Sequence, residues 1–283
     1  TESGRDSRRV IRVAHSPDSD DAFMFYGLAS GEIDTAELGF EHELQGIQEL
    51  NERAMRGELE VTAVSIHAYA YLTDSDILLP HGASMGEGYG PRLVSRVPMD
   101  RDAIRSCTIA VPGELTSAYL ALKLWEPAAR TVVMPFDEIL EAVRDGQVDV
   151  GLIIHEGQLT YADEDLVLLE DLGRWWQEET GLPLPLGGNV IRRDLGAELI
   201  PRVSDYLRRS IAFSLDHREQ AMDYAMGFAR GLDRGTADEF VGMYVNQRTL
   251  DYGPDGREAV RLFLQRGVEA GILPGPVQVE FAD

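Results

Sequence analysis

Short apolar or alternating runs recur between segments of helical periodicity along most of this chain. Such alternation predicts an α/β protein in which helices cover mostly parallel sheets. The predicted strands span residues 10–14, 37–43, 61–65, 77–79, 92–95, 108–111, 131–134, 150–154, 167–170 and 189–191. The predicted helices span residues 21–30, 47–56, 66–73, 117–125, 136–145, 173–180, 197–216, 218–231, 236–245 and 256–270.

The alternating pattern is interrupted twice. A polar, proline-containing connection at 96–100 ends the first βαβ group, and the segment 181–188, predicted to be irregular because of its prolines and glycines, ends the second. The remainder is almost entirely helical and is expected to pack onto the first group. We therefore predict two α/β lobes joined by two hinge crossings around a ligand cleft. Lobe 1 comprises residues 8–97 plus 190–283, and lobe 2 comprises residues 98–189.

Net charge limits the classes of partner. Of the 283 residues, 49 are acidic and 26 are basic, which gives a formal net charge of -23. A nucleic-acid backbone or an anionic membrane surface would be repelled over most of such a protein, so neither is predicted as a partner. Lys123 is the sole lysine, and this acidic, lysine-poor composition suggests a host with a salty cytoplasm, where salt screens the self-repulsion.

The sequence also indicates a compartment. No window approaches the roughly 18 consecutive apolar residues that a membrane-spanning helix needs, and no secretory signal segment is seen. Cys107 is the sole cysteine, which excludes an intrachain disulfide and fits a reducing compartment. Its position at a predicted strand start favours a packed thiol over a nucleophile. We therefore expect a cytoplasmic protein.

The segment 148–156 carries the main catalytic candidate. An apolar strand there runs directly into His155 and Glu156, and open α/β sheets bind ligands at the carboxyl ends of their strands. Because imidazole titrates near physiological pH, His155 is predicted to be a catalytic proton-transfer group. The alternative is a histidine that closes the strand end by hydrogen bonding to the backbone.

The loop 15–21 connects the first strand to a helix. Ser19, Asp20 and Asp21 are candidate N-caps of that helix. Loops in this position also bind ligands, and Ser16 and Asp20 are predicted substrate contacts. Its aspartates suit the orientation of sugar-like hydroxyl groups better than the binding of an anion.

Two further strand-to-helix passages carry polar candidates. Ser65 is placed to cap a helix and to present its hydroxyl at a strand end, whereas His67 is expected to pack or to lie on the surface. In the second passage a Pro-Gly turn is followed by Thr116 and Ser117, which place hydroxyls beside free backbone amides at a helix start. Such a start suits a carboxylate, although capping alone also explains these residues.

No cofactor or metal is predicted. The glycine-dense loop 82–91 precedes a strand, whereas a dinucleotide fingerprint follows one, and a Walker lysine is absent from the sequence. The six histidines are dispersed, and Cys107 has no partner cysteine. Of Trp175 and Trp176, one is expected in the core, and the other either packs as well or forms a wall of the cleft.

Taken together, these stretches resemble the 1,4-dihydroxy-6-naphthoate synthases, enzymes of the futalosine route to menaquinone. The resemblance extends across nearly the whole chain and is carried by residues 15–26, 45–51, 151–156, 160–161 and 171–187. The strings Gly-Leu-Ile-Ile-His-Glu and Trp-Trp…Thr-Gly-Leu-Pro-Leu-Pro-Leu-Gly are specific, whereas the Ser-Pro loop is shared with the chorismate dehydratases. Where a familiar form of the family has Cys-Pro-Asn-Asp-Thr, this chain has Asp-Ser-Asp-Asp-Ala at 18–22.

The resemblance implies a two-lobed periplasmic-binding-protein type II fold, with two mixed sheets and helices on both faces, used as a cytosolic enzyme. It also implies conversion of cyclic dehypoxanthine futalosine to 1,4-dihydroxy-6-naphthoate, with loss of a sugar-derived three-carbon fragment. His155 falls on the family's proposed base, and Ser65, Ser117 and Ala118 fall where the family contacts a bound ligand. A small-molecule substrate is the implied partner, and a homodimer is left open.

Two alternative functions use the same scaffold. A chorismate dehydratase would eliminate water from chorismate, and the Gly-Leu-Ile-Ile-His-Glu string argues against it. A solute-binding protein for a small anion would need export and no catalytic base.

Overall fold

Two separate sheets organise the chain, as a computed structural model that describes residues 9–229 and 231–283 shows. The strands are β1 (Arg9–His15), β2 (Leu38–Leu44), β3 (Val61–Ser65), β4 (Asp76–Leu78), β5 (Ser84–Gly86), β6 (Arg92–Ser95), β7 (Thr108–Val111), β8 (Arg130–Val133), β9 (Val150–Ile153), β10 (Val167–Asp171) and β11 (Leu184–Arg192). The helices of the sheet-bearing part are α1 (Ser19–Ala29), α2 (Ile47–Met55), α3 (Ile66–Tyr69), α4 (Arg101–Arg105), α5 (Ser117–Trp125), α6 (Ile139–Arg144), α7 (Gly157–Thr160) and α8 (Leu172–Thr180). The C-terminal helices are α9 (Leu199–Asp216), α10 (Arg218–Met226), α11 (Arg234–Tyr244), α12 (Gln247–Leu250) and α13 (Gly253–Glu269).

Both sheets mix parallel and antiparallel pairs. The first has the order β2-β1-β3-β11-β4, with β5 paired to β11, and only β11 runs antiparallel to its partners. The second has the order β10-β6-β9-β7-β8, in which β7 is parallel to β8 and β9 while β6 is antiparallel to β9 and β10. The predicted α/β class and the two mixed sheets implied by the family resemblance are confirmed. The mostly parallel sheets expected from the alternation are not found, because β6, β10 and β11 pair antiparallel with their neighbours.

The chain changes sheets earlier than the predicted boundaries of 8–97, 98–189 and 190–283 imply. Strand β6, assigned to lobe 1, pairs within the second sheet, and residues 184–189, assigned to lobe 2, belong to β11 of the first. The crossings therefore lie between β5 and β6 and between β10 and β11. Residue 8 lies outside the described residues.

The predicted irregular segment 181–188 is wrong from residue 184 onward. Leu184 and Pro185 pair with β5, and the register of that pairing shifts between Pro185 and Gly187. The pairing of β11 with β3 begins at Gly187. Pro185 is tolerated in this strand because β11 has a pairing partner on one side only at that residue, so the N–H that proline lacks is not needed for a second partner. We use lobe 1 and lobe 2 below for the parts that contain the first and the second sheet.

The C-terminal helices pack mainly on lobe 1, as predicted. Leu207 and Ile211 of α9 share a core with the apolar residues of β1, and Met222 of α10 packs with Phe23 of α1. Helix α13 also reaches lobe 2, because Phe263 lies in one core with residues of α5 and α8. No helix in the described part of the chain combines the length and the apolar character needed to cross a membrane.

Trp175, Trp176 and Cys107 contribute to packing. Trp176 is fully buried, donates from Nε1 to Pro183 O at 3.0 Å and meets the Phe263 ring edge-on. Trp175 is partly buried against the same core. Cys107 packs beside Met99, and burial raises the pKa of its thiol, which disfavours the nucleophilic thiolate.

Candidate active site

A cavity between the lobes brings the predicted polar contacts together. Its empty volume is about 660 Å³, counting the part that opens to solvent. It is lined by Ser16, Asp18, Asp20, Asp21, Ile47, Ser65, Ser84, Pro91, Thr116, Ser117, Ala118, Ile154, Gln158, Leu186, Gly187, Phe240 and Tyr244. All six predicted substrate contacts, from both lobes, are in this set. Their binding of a substrate stays a prediction.

His155 lies beside the cavity and is not one of its lining residues. Its half-buried ring is held between two backbone groups: the Gly157 N–H donates to Nδ1 at 2.9 Å, and Nε2 lies 3.0 Å from Phe136 O. Because an amide N–H can only donate and a carbonyl can only accept, the bound ring carries its proton on Nε2. In this tautomer only Nδ1 can accept a proton, so base catalysis by His155 requires the substrate to replace the Gly157 N–H there.

The loop before α1 is built differently from the predicted capping. The N-cap is Asp18, without a side-chain cap hydrogen bond, and Ser19 is the first helical residue. The Ser19 hydroxyl instead donates to Glu156 Oε1 of lobe 2 at 3.1 Å. Asp21 Oδ2 accepts from the Ser16 N–H at 2.9 Å, which folds the loop around the cavity.

Ser65 is the N-cap residue of α3, as its predicted position implies, but its side chain makes no capping hydrogen bond. Its hydroxyl accepts from Asn51 Nδ2 at 3.1 Å, and its N–H donates to Asn51 Oδ1 at 2.9 Å. Asn51 is fully buried on α2 and thus fixes the end of β3. Sequence reasoning gave Asn51 no role, although it lies in the 45–51 segment that carries the family resemblance.

The start of α5 follows the prediction more closely. Thr116 is the N-cap and accepts from the Tyr119 N–H at 3.2 Å. The Ser117 hydroxyl accepts from the His67 N–H at 3.2 Å and donates to Leu186 O at 2.5 Å. His67 packs in the interior, as one of its two predicted alternatives states, and its Nδ1 lies 3.0 Å from Thr116 O. These bonds connect lobe 1 to the helix start in lobe 2.

Tyr244 and Gln158 are among the cavity residues that the sequence did not predict. The Tyr244 hydroxyl of α11 donates to Gln158 Oε1 of α7 at 2.6 Å, and both side chains are buried. Burial raises the pKa of Tyr244, so this phenol stays a neutral donor. The two residues lie far apart in sequence, and no local pattern marks the pair.

The electrostatics of the cavity are dominated by carboxyl groups. Asp18, Asp20 and Asp21 line it, and buried Glu156 lies behind the same loop. Burial and the charges of Asp21, Asp18 and Glu156 raise the pKa of Asp20 well above its ordinary value. Lysine, arginine and histidine are absent from the described cavity lining. Within residues 9–229 and 231–283, no group of three or more acidic, histidine or cysteine side chains is arranged to hold a metal ion.

Comparison of the sequence with known proteins relates the chain to a family. A family model described as menaquinone biosynthesis matches residues 11–269. The 1,4-dihydroxy-6-naphthoate synthase of Streptomyces coelicolor is 40% identical over 283 residues, which cover 97% of this chain and 99% of that protein. The synthase of the same name from Thermus thermophilus is 40% identical over 268 residues, covering 94% and 97%.

Solved structures confirm the fold. A crystal structure of a protein from Archaeoglobus fulgidus matches with a TM-score of 0.90 and 46% identity, over 93% of this chain and 98% of that one. The alkanesulfonate-binding protein of Xanthomonas axonopodis pv. citri matches with a TM-score of 0.72 over 95% and 96% of the two chains, at 12% identity. The latter likeness shows the periplasmic-binding-protein fold alone. By its family match and its full-length identity to these enzymes, the chain belongs to the menaquinone biosynthesis family that includes the 1,4-dihydroxy-6-naphthoate synthases.

Proposed function

We propose that this chain is a carbon-carbon lyase that converts cyclic dehypoxanthine futalosine to 1,4-dihydroxy-6-naphthoate. The observation that carries the proposal is 40% identity to two synthases of that name over nearly the full length of each. The interlobe cavity, with hydroxyl and carboxyl groups from both lobes, supports it. The enzyme works in the cytoplasm on a small-molecule substrate.

The reaction needs a base and a water-poor site. Removing a proton from a sugar-derived hydroxyl or an adjacent carbon starts the carbon-carbon cleavage, and aromatisation of the bicyclic ring drives it forward. His155 is the proposed base, and it takes the proton on Nδ1 once the substrate replaces the Gly157 N–H there. Bonds such as Ser19–Glu156 hold the lobes together around the site, which limits the access of water.

The start of α5 is the proposed seat for the substrate carboxylate. It offers backbone amides and the Thr116 and Ser117 hydroxyls at the positive end of a helix. The Ser117 hydroxyl must then give up its hydrogen bond to Leu186 O, because its single O–H is donated there.

Product analysis by mass spectrometry tests the proposal. The purified protein is incubated separately with cyclic dehypoxanthine futalosine and with chorismate. We expect 1,4-dihydroxy-6-naphthoate from the first and unchanged chorismate from the second. Dehydration of chorismate would instead identify a chorismate dehydratase, and binding without turnover of either compound would favour a solute-binding protein.

A further inference from the structure

Asp20 is one of the three aspartates that line this cavity. It projects from the first turn of α1, is half-buried and lines the cavity. Asp18 and Asp21 flank it on the same loop, Glu156 faces it from lobe 2, and Tyr244 faces it from α11. The titratable groups around Asp20 are therefore carboxyls and one phenol, without a cation in the described cavity lining.

The neighbouring carboxylates already have internal donors. Asp21 accepts from the Ser16 N–H, Asp18 Oδ2 lies 3.4 Å from the Ser16 hydroxyl, and Glu156 accepts from the Ser19 hydroxyl. These donors favour the ionised forms of their acceptors. Asp20 receives only a backbone hydrogen bond from Asp21 among the described residues, and this bond lowers its pKa less than burial and the neighbouring charges raise it. A further negative charge at Asp20 would face like charges in a poorly solvated space, which disfavours its ionisation.

We propose that Asp20 meets the substrate as a neutral carboxylic acid and donates a hydrogen bond to one of the substrate's oxygens. This inference rests on the proposed function and names a contact within it. A protonated carboxyl offers one O–H donor, which an ionised one lacks. The neutral form also leaves the cavity less repulsive to an anionic substrate. Burial and the three neighbouring carboxylates raise the pKa of Asp20 in the direction that this role requires.

Asparagine provides a sharp comparison. Its amide donates and accepts hydrogen bonds much as a neutral carboxyl does, but it cannot ionise. Asp20→Asn should therefore keep the contact at every pH, and Asp20→Ala should lose it. If Asp20 worked through its negative charge or by transferring a proton, both substitutions would be damaging.

The test measures binding of cyclic dehypoxanthine futalosine by calorimetry in the His155→Asn background, where turnover is slowed. With Asp20 present, we expect affinity to weaken as pH rises and the carboxyl ionises. Asp20→Asn should bind within about threefold of the Asp20 protein at neutral pH and show no such weakening. Asp20→Ala should bind about tenfold or more weakly, which is the usual effect of losing one hydrogen bond to a polar ligand group.

Glu156→Gln tests the protonation of Asp20 through the pH dependence of substrate affinity. A purely structural role of Asp20 predicts no change in that dependence. Glutamine keeps an oxygen for the Ser19 hydroxyl but removes a negative neighbour, which lowers the pKa of Asp20. The loss of substrate affinity that accompanies rising pH should then begin at lower pH. Equal losses in Asp20→Asn and Asp20→Ala, or full affinity in Asp20→Ala, would overturn the inference. Turnover by the unaltered protein is scored separately, so tight, pH-dependent binding without product would refute only the proposed function.

Discussion

Ser19 and Glu156, on opposite lobes, are joined by a hydrogen bond of 3.1 Å from the serine Oγ to the carboxylate Oε1. Both residues are buried, at 0% and 5% exposure. The bond ties the first turn of α1 to the residue after His155. It therefore connects the turn of α1 that carries Asp20 to the segment that carries the predicted base. The bond forms only when the lobes are close together.

Removing this donor should cost stability. Ser19→Ala is expected to lower the free energy of unfolding by about 1–3 kcal/mol, because it withdraws a hydrogen bond from a buried carboxylate. Urea unfolding followed by tryptophan fluorescence gives the value. Glu156→Gln is the matched control, since it keeps the acceptor oxygen and should be milder. A Ser19→Ala protein as stable as the unaltered one would show that the bond does not hold the lobes.

His155→Asn tests the base. A general base contributes on the order of 10²- to 10⁴-fold in rate, so the variant should lose at least that much in kcat. The measurement is initial-rate formation of 1,4-dihydroxy-6-naphthoate. His217→Asn is the control, because His217 is exposed at the junction of α9 and α10, where its ring stacks on Phe213 and its Nδ1 lies 2.9 Å from Phe213 O. Turnover of His155→Asn within tenfold of the unaltered protein would remove His155 from the role.

His155 also shows what the sequence can and cannot predict. The apolar run before it correctly places the residue at the carboxyl end of β9, because local hydrophobicity decides where a buried strand ends. The sequence does not show that the Gly157 N–H and Phe136 O occupy both ring nitrogens. Strand-end polar groups are predictable from local pattern, whereas their bonding partners depend on tertiary packing.

The remaining misses have the same origin. Asn51 holds Ser65 across 14 positions, and Tyr244 meets Gln158 across 86. The two members of each pair lie on different elements, so neither pair can be found from the periodicity along one helix or strand. The early part of β11 was missed because Pro185 and two glycines weaken the strand pattern, while pairing with β5 and β3 overrides that local preference.

His42 gives a prediction about acid stability. Burial and the nearby His15 lower the pKa of His42 from 6.5 to about 4, and its ring meets those of His15 and Phe25 edge-on. Between these two pKa values the unfolded chain binds the proton and the folded protein does not. Unfolding is therefore favoured as pH falls from about 6.5 to about 4, by up to about 3 kcal/mol from this one group.

The comparison is between the unaltered protein and His42→Gln, which does not titrate. Urea unfolding at several pH values in that window should show the stability difference shifting in favour of the variant as pH falls. All other titratable groups are common to both proteins, so their contributions cancel in the difference, apart from the interaction of His15 with His42. A difference that is constant with pH would mean that His42 takes up its proton equally well in both states.

Gly173, in α8, packs against the segment where the chain first crosses between the lobes. A Cβ added at this residue would lie 2.0 Å from Tyr89 O and 2.1 Å from the Tyr89 carbonyl carbon. These are backbone atoms of the connection between β5 and β6, so they cannot rotate away as a flexible side chain would. Gly173→Ala is expected to destabilise the protein by about 3 kcal/mol, the upper part of the usual range for overpacking.

Gly275→Ala is the matched control, because a Cβ there meets no atom within 4 Å, and its stability should change by less than about 0.5 kcal/mol. The crossing leads back to Ser84 of β5, which lines the cavity, and Pro91 on its other side does so as well. Any shift that accommodates the new methyl group must therefore alter the cavity wall. We expect Gly173→Ala to weaken substrate binding beyond its effect on unfolding, measured by calorimetry at a temperature where the variant is folded. Unchanged affinity in a destabilised Gly173→Ala protein would show that the crossing can move without disturbing the site.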